Sequence, residues 1–142
     1  MTQQVLPVLK LHREATLPTR AHPDDAGLDL YSLEETTLEP GRGVHVKTGI
    51  AVELPPGTVG LIADRSSMAR RGLKTAGGVI DAGYRGEIGV LLWNVSPDTH
   101  VVKRGDRIAQ LLVVGVHTPA VREVVTLNRT PRGEGGFGST GR

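Results

Sequence analysis

The chain has 142 residues, and its 17 Lys and Arg against 15 Asp and Glu give a formal net charge of +2. A chain of this length forms one domain and buries roughly 68% of the surface it exposes when unfolded. The small positive surplus and an aromatic content of 3% argue against a nucleic-acid partner, because such proteins use a basic surface or aromatic side chains that stack on bases.

The composition also restricts the cellular setting. The sequence contains no cysteine, which excludes disulfides, thiolate metal sites and a cysteine nucleophile. No apolar run approaches the roughly 20 residues that span a bilayer, so no membrane partner is expected. Residues 1–20 are too often interrupted by polar side chains to resemble a signal peptide, which predicts a cytoplasmic protein.

Nineteen glycines and nine prolines make up about a fifth of the chain, against a usual share of roughly 12%. They separate short segments in which apolar and polar residues alternate, as in half-buried strands. The predicted strands, in chain order, are Val5–Lys10, Leu28–Ser32, Val44–Thr48, Ile50–Leu54, Thr58–Ala63, Val79–Asp81, Ile88–Asn94, Val101–Lys103, Arg107–Val116 and Val121–Val125. One short helix is predicted over Ser66–Arg71, with Ser66 or Ser67 as its N-cap. The pattern predicts an all-β sandwich or closed barrel.

Two segments depart from this alternation. The run Leu111–Val116 is continuously apolar, which predicts cover on both faces of its strand. The second cover is either another copy of the chain or the chain's own second sheet, and the run alone does not separate the two. Residues 130–142 are so rich in glycine that we expect a mobile tail on a single domain covering residues 1–142.

Four groups of residues in the body of the chain are candidates for chemistry. Asp29, between two leucines, is either a solvated side chain or a hard oxygen ligand for Mg²⁺. Arg65, Ser66 and Ser67 at the start of the helix suit phosphate, although plain N-capping explains the serines equally well. Gln110 enters an apolar run and needs a polar partner, either a backbone group or a substrate oxygen.

The fourth group is the segment 77–86, which reads as a glycine-rich hairpin. Its glycines let a ligand approach the backbone closely, and Asp81 at the strand end could orient a water molecule as a general base. The alternative is an ordinary hairpin with a turn-capping aspartate and a packed Tyr84.

The tail, with Gly133–Thr140, has the composition of a phosphate-binding loop but lacks the P-loop ending. The five histidines show no metal-ligand spacing.

The order of these motifs is more specific than any one of them. The chain from Asp25 to Arg142 resembles the trimeric dUTPases, whose five ordered motifs match Ala-Gly-Leu-Asp-Leu, Arg-Ser-Ser-Met-Ala-Arg-Arg-Gly, Gly-Val-Ile-Asp-Ala-Gly-Tyr-Arg-Gly-Glu-Ile, Arg-Gly-Asp-Arg-Ile-Ala-Gln-Leu and Arg-Gly-Glu-Gly-Gly-Phe-Gly-Ser-Thr-Gly. The resemblance implies a jelly-roll subunit, a homotrimer with shared active sites, and Mg²⁺-dependent hydrolysis of dUTP to dUMP and pyrophosphate. Such an enzyme limits uracil incorporation into DNA and supplies dUMP for dTTP synthesis.

The resemblance also implies a role for each motif residue. Asp29 would bind the metal through water, and Asp81 would hold the attacking water against the α-phosphorus. The phosphate chain would be contacted by Arg65, Ser66, Ser67, Gln110, Arg132, Ser139 and Thr140. The uracil and deoxyribose would be bound by the backbone of Ala76, Gly77, Gly78 and Val79, by Tyr84 under the sugar and by Phe137 on the base.

Three positions depart from the usual family pattern. Asp64 stands where proline is common, Ser67 where glycine is common, and Gly83 where a second aspartate is common. A related nucleotide deaminase is the competing enzyme, but Leu91 stands where its catalytic glutamate aligns, and an apolar side chain cannot carry a proton. A non-catalytic nucleotide-binding protein is the third alternative.

Overall fold

The computed structural model describes residues 4–138. In that range the chain forms eleven strands and one helix: β1 (Val8–Lys10), β2 (Leu28–Tyr31), β3 (Thr36–Leu38), β4 (Gly43–Lys47), β5 (Ile50–Val52), β6 (Thr58–Ala63), α1 (Ser66–Arg70), β7 (Leu73–Ala76), β8 (Val79–Asp81), β9 (Gly89–Asn94), β10 (His100–Val102) and β11 (Arg107–Gly115). The all-β prediction is confirmed.

The strands form two main antiparallel sheets around one core. The four-stranded sheet has the order β2-β11-β6-β8, and the three-stranded sheet has the order β4-β9-β7. Two further pairs, β1-β5 and β10-β3, extend the structure. Leu30 and Leu111 from the first sheet and Val46 and Leu92 from the second belong to a single buried cluster. The two sheets therefore enclose a common core.

A β-bulge at the start of β11 determines which residues face outward. The register against β2 runs from Arg107 opposite Tyr31 to Ala109 opposite Leu30, so β11 has one extra residue there. Ile108 and Ala109 are both fully buried as a result. Without the bulge, residues 107 and 110 would point to opposite faces because strand side chains alternate. With it, both side chains project from the outer face of the sheet.

The sequence pattern located most strands, and Thr58–Ala63 and Val79–Asp81 have the predicted bounds. The predicted strand Val121–Val125 is wrong: it is rich in valine but has no partner strand within residues 4–138. The prediction missed β3 and β7, which carry little alternation and are held by pairing with β10 and β9. Strand pairing, which is a tertiary property, decided these three segments.

The predicted helix is present, but its N-cap is not a serine. Arg65 is the N-cap, with an extended backbone (φ −85°, ψ 137°), and no side chain among the described residues caps it. Ser66 and Ser67 instead occupy the first two helical positions and are exposed. Nowhere in residues 4–138 does a helix have the length and apolar character needed to cross a membrane.

The apolar run at the end of β11 is covered on one face only. Leu111 is buried in the core, whereas Val114 is 39% and Val116 is 41% exposed. The strand lies in the middle of its own sheet, between β2 and β6. Cover for its outer face does not come from the described part of the same chain.

Candidate active site

Three neighbouring strands bring Asp29, Arg65 and Gln110 together at one end of the four-stranded sheet. Gln110 on β11 is the register partner of Asp29 on β2 and of Ala63 on β6. Arg65 follows β6 by two residues, and its Nε lies 3.2 Å from Asp29 Oδ1. Both side chains of this pair are largely buried, with 17% of Asp29 and 25% of Arg65 exposed. Asp29 is therefore not the freely solvated side chain of the first interpretation.

Arg107, which was not among the site residues predicted from the sequence, joins this group. The bulge turns its side chain to the outer face, where Nη1 lies 3.9 Å from Asp29 Oδ2. Its backbone carbonyl accepts a hydrogen bond of 3.2 Å from Arg65 Nη1. Two guanidinium groups thus surround one carboxylate, which leaves this corner of the sheet with an excess of positive charge. We name Asp29, Arg65, Arg107 and Gln110 the arginine cluster.

Gln110 is held by two neighbours. Its Nε2 donates a hydrogen bond of 2.7 Å to the backbone carbonyl of Asp64, so the backbone partner considered from the sequence is present. Its Oε1 lies where a Cβ on residue 27 would be, so any larger residue there would displace the amide from this position. The amide of Gln110 is therefore fixed in orientation.

The start of α1 adds hydrogen-bond donors beside Arg65. The N–H groups of Ser66 and Ser67 lie in the first turn of the helix, where no carbonyl of the helix is available to accept them. Both residues are exposed. A phosphate group at Arg65 would find these donors within the same turn.

The turn between β7 and β8 presents backbone instead of side chains. The predicted β-hairpin is wrong, because β7 pairs with β9 and β8 pairs with β6, so the turn passes from one sheet to the other. We use the name hairpin segment, or hairpin, below for residues 76–79 only. Gly77 and Gly78 have φ values of 72° and 95°, which glycine adopts without strain. The Gly78 carbonyl accepts a hydrogen bond of 2.8 Å from Ile62 N–H, which ties the hairpin to β6. A Cβ on Gly78 would lie 3.0 Å from the Ile62 carbonyl oxygen. The glycines therefore allow a sharp turn pressed against the sheet.

Asp81 and Tyr84 line a cavity of about 260 Å³ next to this hairpin. The Tyr84 hydroxyl donates a hydrogen bond of 2.8 Å to the Glu87 carbonyl, and the ring lies over Gly86, where a Cβ would be 2.5 Å from the hydroxyl. Asp81 ends β8 and is exposed. His45, which the sequence did not mark as a site residue, lines the same cavity.

The arginine cluster and Asp81 lie at opposite corners of the four-stranded sheet. Asp29 is on β2 and Asp81 on β8, at the two edges. On β6, Ala63 lies in the same row as Gln110 and Asp29. Asp81 pairs with Val59, which lies four residues before Ala63 on β6. Strand spacing and rise place the two carboxylates roughly 20 Å apart across the sheet. A single nucleotide phosphate cannot contact both within one chain.

The carboxylates at the candidate site suit a metal ion that has few protein ligands and is bound mainly by the phosphates of a substrate. Within residues 4–138 no three His, Asp or Glu side chains cluster as a protein-made cage would require. Mg²⁺ commonly uses one or two carboxylates and completes its shell with water and substrate phosphates. Asp29, a single carboxylate at a corner that suits phosphate, fits that mode.

Comparison with known proteins decides between the alternatives. The dUTPase family model matches residues 13–141. The chain belongs to the dUTPase family. Two relatives named deoxyuridine 5′-triphosphate nucleotidohydrolase support the match. The protein from Rhodococcus erythropolis is 50% identical over 93% of this chain and 83% of its own length. That from Nocardia farcinica is 52% identical over 96% of this chain and 85% of its own.

Solved dUTPase structures share the jelly-roll-like fold. The dUTPase of Staphylococcus bacteriophage 80alpha, solved with dUpNHpp, is 34% identical with a TM-score of 0.88, over 99% of this chain and all of that chain. A mutant dUTPase from phage phi11 of S. aureus is 31% identical with a TM-score of 0.81, over 87% of this chain and 98% of that one. The latter structure is described as showing the coordination of a structural Mg(II) ion.

Two residues of the C-terminal dUTPase motif, Arg132 and Phe137, are exposed. Phe137 is fully exposed, with a φ of 49°. Arg132 is exposed, and its Nε donates to the Gly135 carbonyl within the tail itself. Ser139 and Thr140 lie outside the described residues. Within the described chain, this motif therefore does not complete the candidate site.

Proposed function

We propose that this chain hydrolyses dUTP to dUMP and pyrophosphate, with Asp81 orienting the attacking water. Membership of the dUTPase family supports the substrate. The observation that carries the chemistry is the arginine cluster, in which two guanidinium groups and a fixed amide converge at one corner of an otherwise apolar sheet face. Positioning and charge neutralisation are the main requirements of phosphoryl transfer.

The triphosphate would bind at the arginine cluster. Arg65 and Arg107 offer planar donor groups that match phosphate oxygens, and Gln110 offers an amide whose orientation Gly27 and Asp64 fix. Ser66 and Ser67 add the donors of the first helical turn. Bound Mg²⁺, held through water by Asp29, would neutralise charge on the phosphate oxygens.

The base and sugar would bind at the hairpin. The backbone of Ala76, Gly77, Gly78 and Val79 offers N–H and C=O groups to the uracil edge, and Val79 is 70% exposed. The Tyr84 ring, fixed by its hydrogen bond to Glu87 and by Gly86, forms a flat surface for the deoxyribose. A 2′-hydroxyl would collide with that surface, which favours dUTP over UTP.

Asp81 would act as the general base. Its carboxylate accepts a proton from water as the water oxygen bonds to the α-phosphorus. The bond from the α-phosphorus to the oxygen that bridges to the β-phosphorus then breaks, and pyrophosphate leaves with that oxygen. The tail would close over the complex, with Arg132, Ser139 and Thr140 on the phosphates and Phe137 on the uracil, and would exclude water.

A homotrimer would bring the separated parts together. Asp81 is too far from the arginine cluster of its own chain, so the hairpin of one subunit would serve the cluster of another and a third subunit would supply the tail. The outer face of the sheet supports this arrangement, because Val114 on β11 and Val116 just beyond its end are exposed apolar side chains. Contact with a second copy would cover them.

The proposed reaction has a clear cellular consequence. Removal of dUTP limits uracil incorporation into DNA, and the product dUMP is the precursor for dTTP synthesis. The cytoplasmic location inferred from the sequence stays a prediction.

One assay tests the proposed function. The purified chain is incubated with Mg²⁺ and dUTP, dCTP, UTP or dTTP, and both pyrophosphate and deaminated product are measured. We expect pyrophosphate from dUTP and little from the other three. Deamination of dCTP would instead support the related deaminase, although Leu91 is apolar and lies between His45 and Ala76 in the second sheet. Binding without turnover would support a non-catalytic protein.

A further inference from the structure

Asp64 links the arginine cluster to β7, the strand that leads into the hairpin. Its Oδ1 accepts two hydrogen bonds from Thr75, one of 2.6 Å from the backbone N–H and one of 2.7 Å from the hydroxyl. Its Oδ2 lies 3.9 Å from Lys74 Nζ. The negative charge that replaces the usual proline is therefore directed at β7 and away from the phosphate side.

These contacts join the two main sheets. Asp64 immediately follows β6 of the four-stranded sheet, whereas Thr75 lies in β7, the edge strand of the three-stranded sheet. Thr75 directly precedes Ala76, the first of the hairpin residues proposed to read uracil. A hydrogen-bonded Thr75 therefore determines where the hairpin begins.

The backbone of Asp64 contacts the arginine cluster. Its carbonyl accepts the hydrogen bond from Gln110 Nε2, and the next residue is Arg65, which pairs with Asp29. One residue thus contacts the arginine cluster through its main chain and, through its side chain, Thr75, the residue that precedes the hairpin. Displacement of either group requires movement of the other or loss of these hydrogen bonds.

The charge of Asp64 is stable under neutral conditions. Partial burial acts to raise the pKa of Asp64, but the two hydrogen bonds from Thr75 and the nearby Lys74 outweigh burial, so the pKa lies below its ordinary value. Hydrogen bonds to an ionised acceptor are stronger than neutral ones. The link to Thr75 is therefore charge-assisted.

We propose that Asp64 is a positioning residue that holds the hairpin in the arrangement required for base recognition, an inference that rests on the proposed dUTP hydrolysis. Asp64 acts through Thr75 and touches neither base nor phosphate. Its loss leaves phosphate recognition in place and weakens the distinction between uracil and other bases.

The test compares Asp64→Ala with Asp64→Asn. The alanine variant removes both acceptors, and we expect kcat/KM for dUTP to fall about tenfold or more, the effect of losing a hydrogen bond to a charged group. The ratio of kcat/KM for dUTP over dCTP narrows by a similar factor, while inhibition by tripolyphosphate changes less than about twofold. Asparagine keeps an oxygen that can accept from Thr75, so it restores most of the ratio.

Matched variants separate positioning from general loss of stability. Asp106→Ala removes a carboxylate that accepts a 2.8 Å hydrogen bond from Lys103 N–H in a turn, and it should keep the wild-type base preference. Thr75→Val removes only the hydroxyl and should narrow the ratio several-fold, and Thr75→Ser should not. If Asp64→Ala does not fold, the kcat/KM ratio of Thr75→Val for dUTP over dCTP tests the positioning role instead.

An unchanged dUTP over dCTP ratio in a folded Asp64→Ala or Thr75→Val protein would overturn the proposal. Hydrogen exchange of the backbone amides of residues 76–79 provides a readout that does not require activity. We expect at least about tenfold faster exchange in Asp64→Ala than in the wild type, and equal rates would also overturn the proposal. Absence of dUTP hydrolysis by the wild type, in contrast, would overturn the proposed function itself.

Discussion

The side chain of Gln110 packs directly against Gly27: its amide oxygen lies where the Cβ of any other residue at position 27 would be. The two residues are far apart in sequence and meet because β2 and β11 pair, with Asp29 opposite Gln110. The first and fourth motifs are therefore a fitted pair. The φ angle of Gly27 is not in the left-handed region, so its backbone conformation does not require glycine. Glycine is favoured at position 27 because the Gln110 side chain approaches it so closely.

Gly27→Ala should displace the Gln110 amide and break its hydrogen bond to the Asp64 carbonyl. We expect kcat/KM for dUTP to fall by about tenfold or more, since Gln110 is one of the proposed phosphate ligands. Steady-state pyrophosphate release measures this. Gly115→Ala is the control, because a Cβ there meets no atom within 4 Å, and equal activities of the two variants would contradict the pairing.

Asp81→Asn should retain dUTP binding and lose most of its turnover. General-base assistance contributes about 10²–10⁴-fold, so kcat should fall by that factor with little change in the dissociation constant of a non-hydrolysable analogue. Asp98→Asn, at a carboxylate in an exposed loop, should leave kcat unchanged. A loss below tenfold in Asp81→Asn would remove Asp81 from the catalytic role.

Tyr84→Ala should narrow the preference for dUTP over UTP, because the flat surface beneath the sugar disappears. Tyr84→Phe keeps the ring and loses only the hydrogen bond to Glu87, so its preference should remain close to that of the wild type. The ratio of kcat/KM for the two nucleotides is measured for each folded variant. If the alanine variant keeps the wild-type ratio, selection against the 2′-hydroxyl resides elsewhere.

Two inactive proteins should restore activity when they share a trimer. One is Asp81→Asn with an intact tail, and the other has an intact Asp81 but ends after Thr130. Refolding them together should give activity well above the sum of the separate preparations, because some sites then combine a working Asp81 with a working tail. Mixing without subunit exchange is the control. Activity that stays at the separate level after exchange would show that each site is built within one chain.

Asp64→Asn should make the stability of the protein less sensitive to acid. The pKa of Asp64 is lowered on folding, so between the folded value and the unfolded value of about 3.9 the unfolded chain binds more protons. The stabilisation by ionised Asp64 is therefore complete above about pH 5 and is lost as the pH falls below about 4. The difference in free energy of unfolding between wild type and variant, from urea titrations, should shrink from pH 6 to pH 3. A constant difference would contradict this assignment.

The sequence alone was sufficient for the strands with strong alternation and for the motifs. Thr58–Ala63 is a strand with the predicted bounds because alternation and flanking turns are local properties that specify a strand directly. The order of the five motifs identified the family, since each motif is a short contiguous segment. Asp29, Arg65 and Gln110 were all named from these segments, and they do converge.

Strand pairing determined the features that the local sequence pattern could not predict. Val121–Val125 has the valine content of a strand but finds no partner in the described chain, whereas Leu73–Ala76 scarcely alternates and is held by β9. Arg107 joined the arginine cluster because a bulge reversed the alternation of β11, and one extra residue in a ladder leaves no sign in composition. Asp64, a departure from the family pattern in the sequence, proved to link two sheets through Thr75. Contacts between residues distant in the chain depend on register, which only the assembled sheets determine.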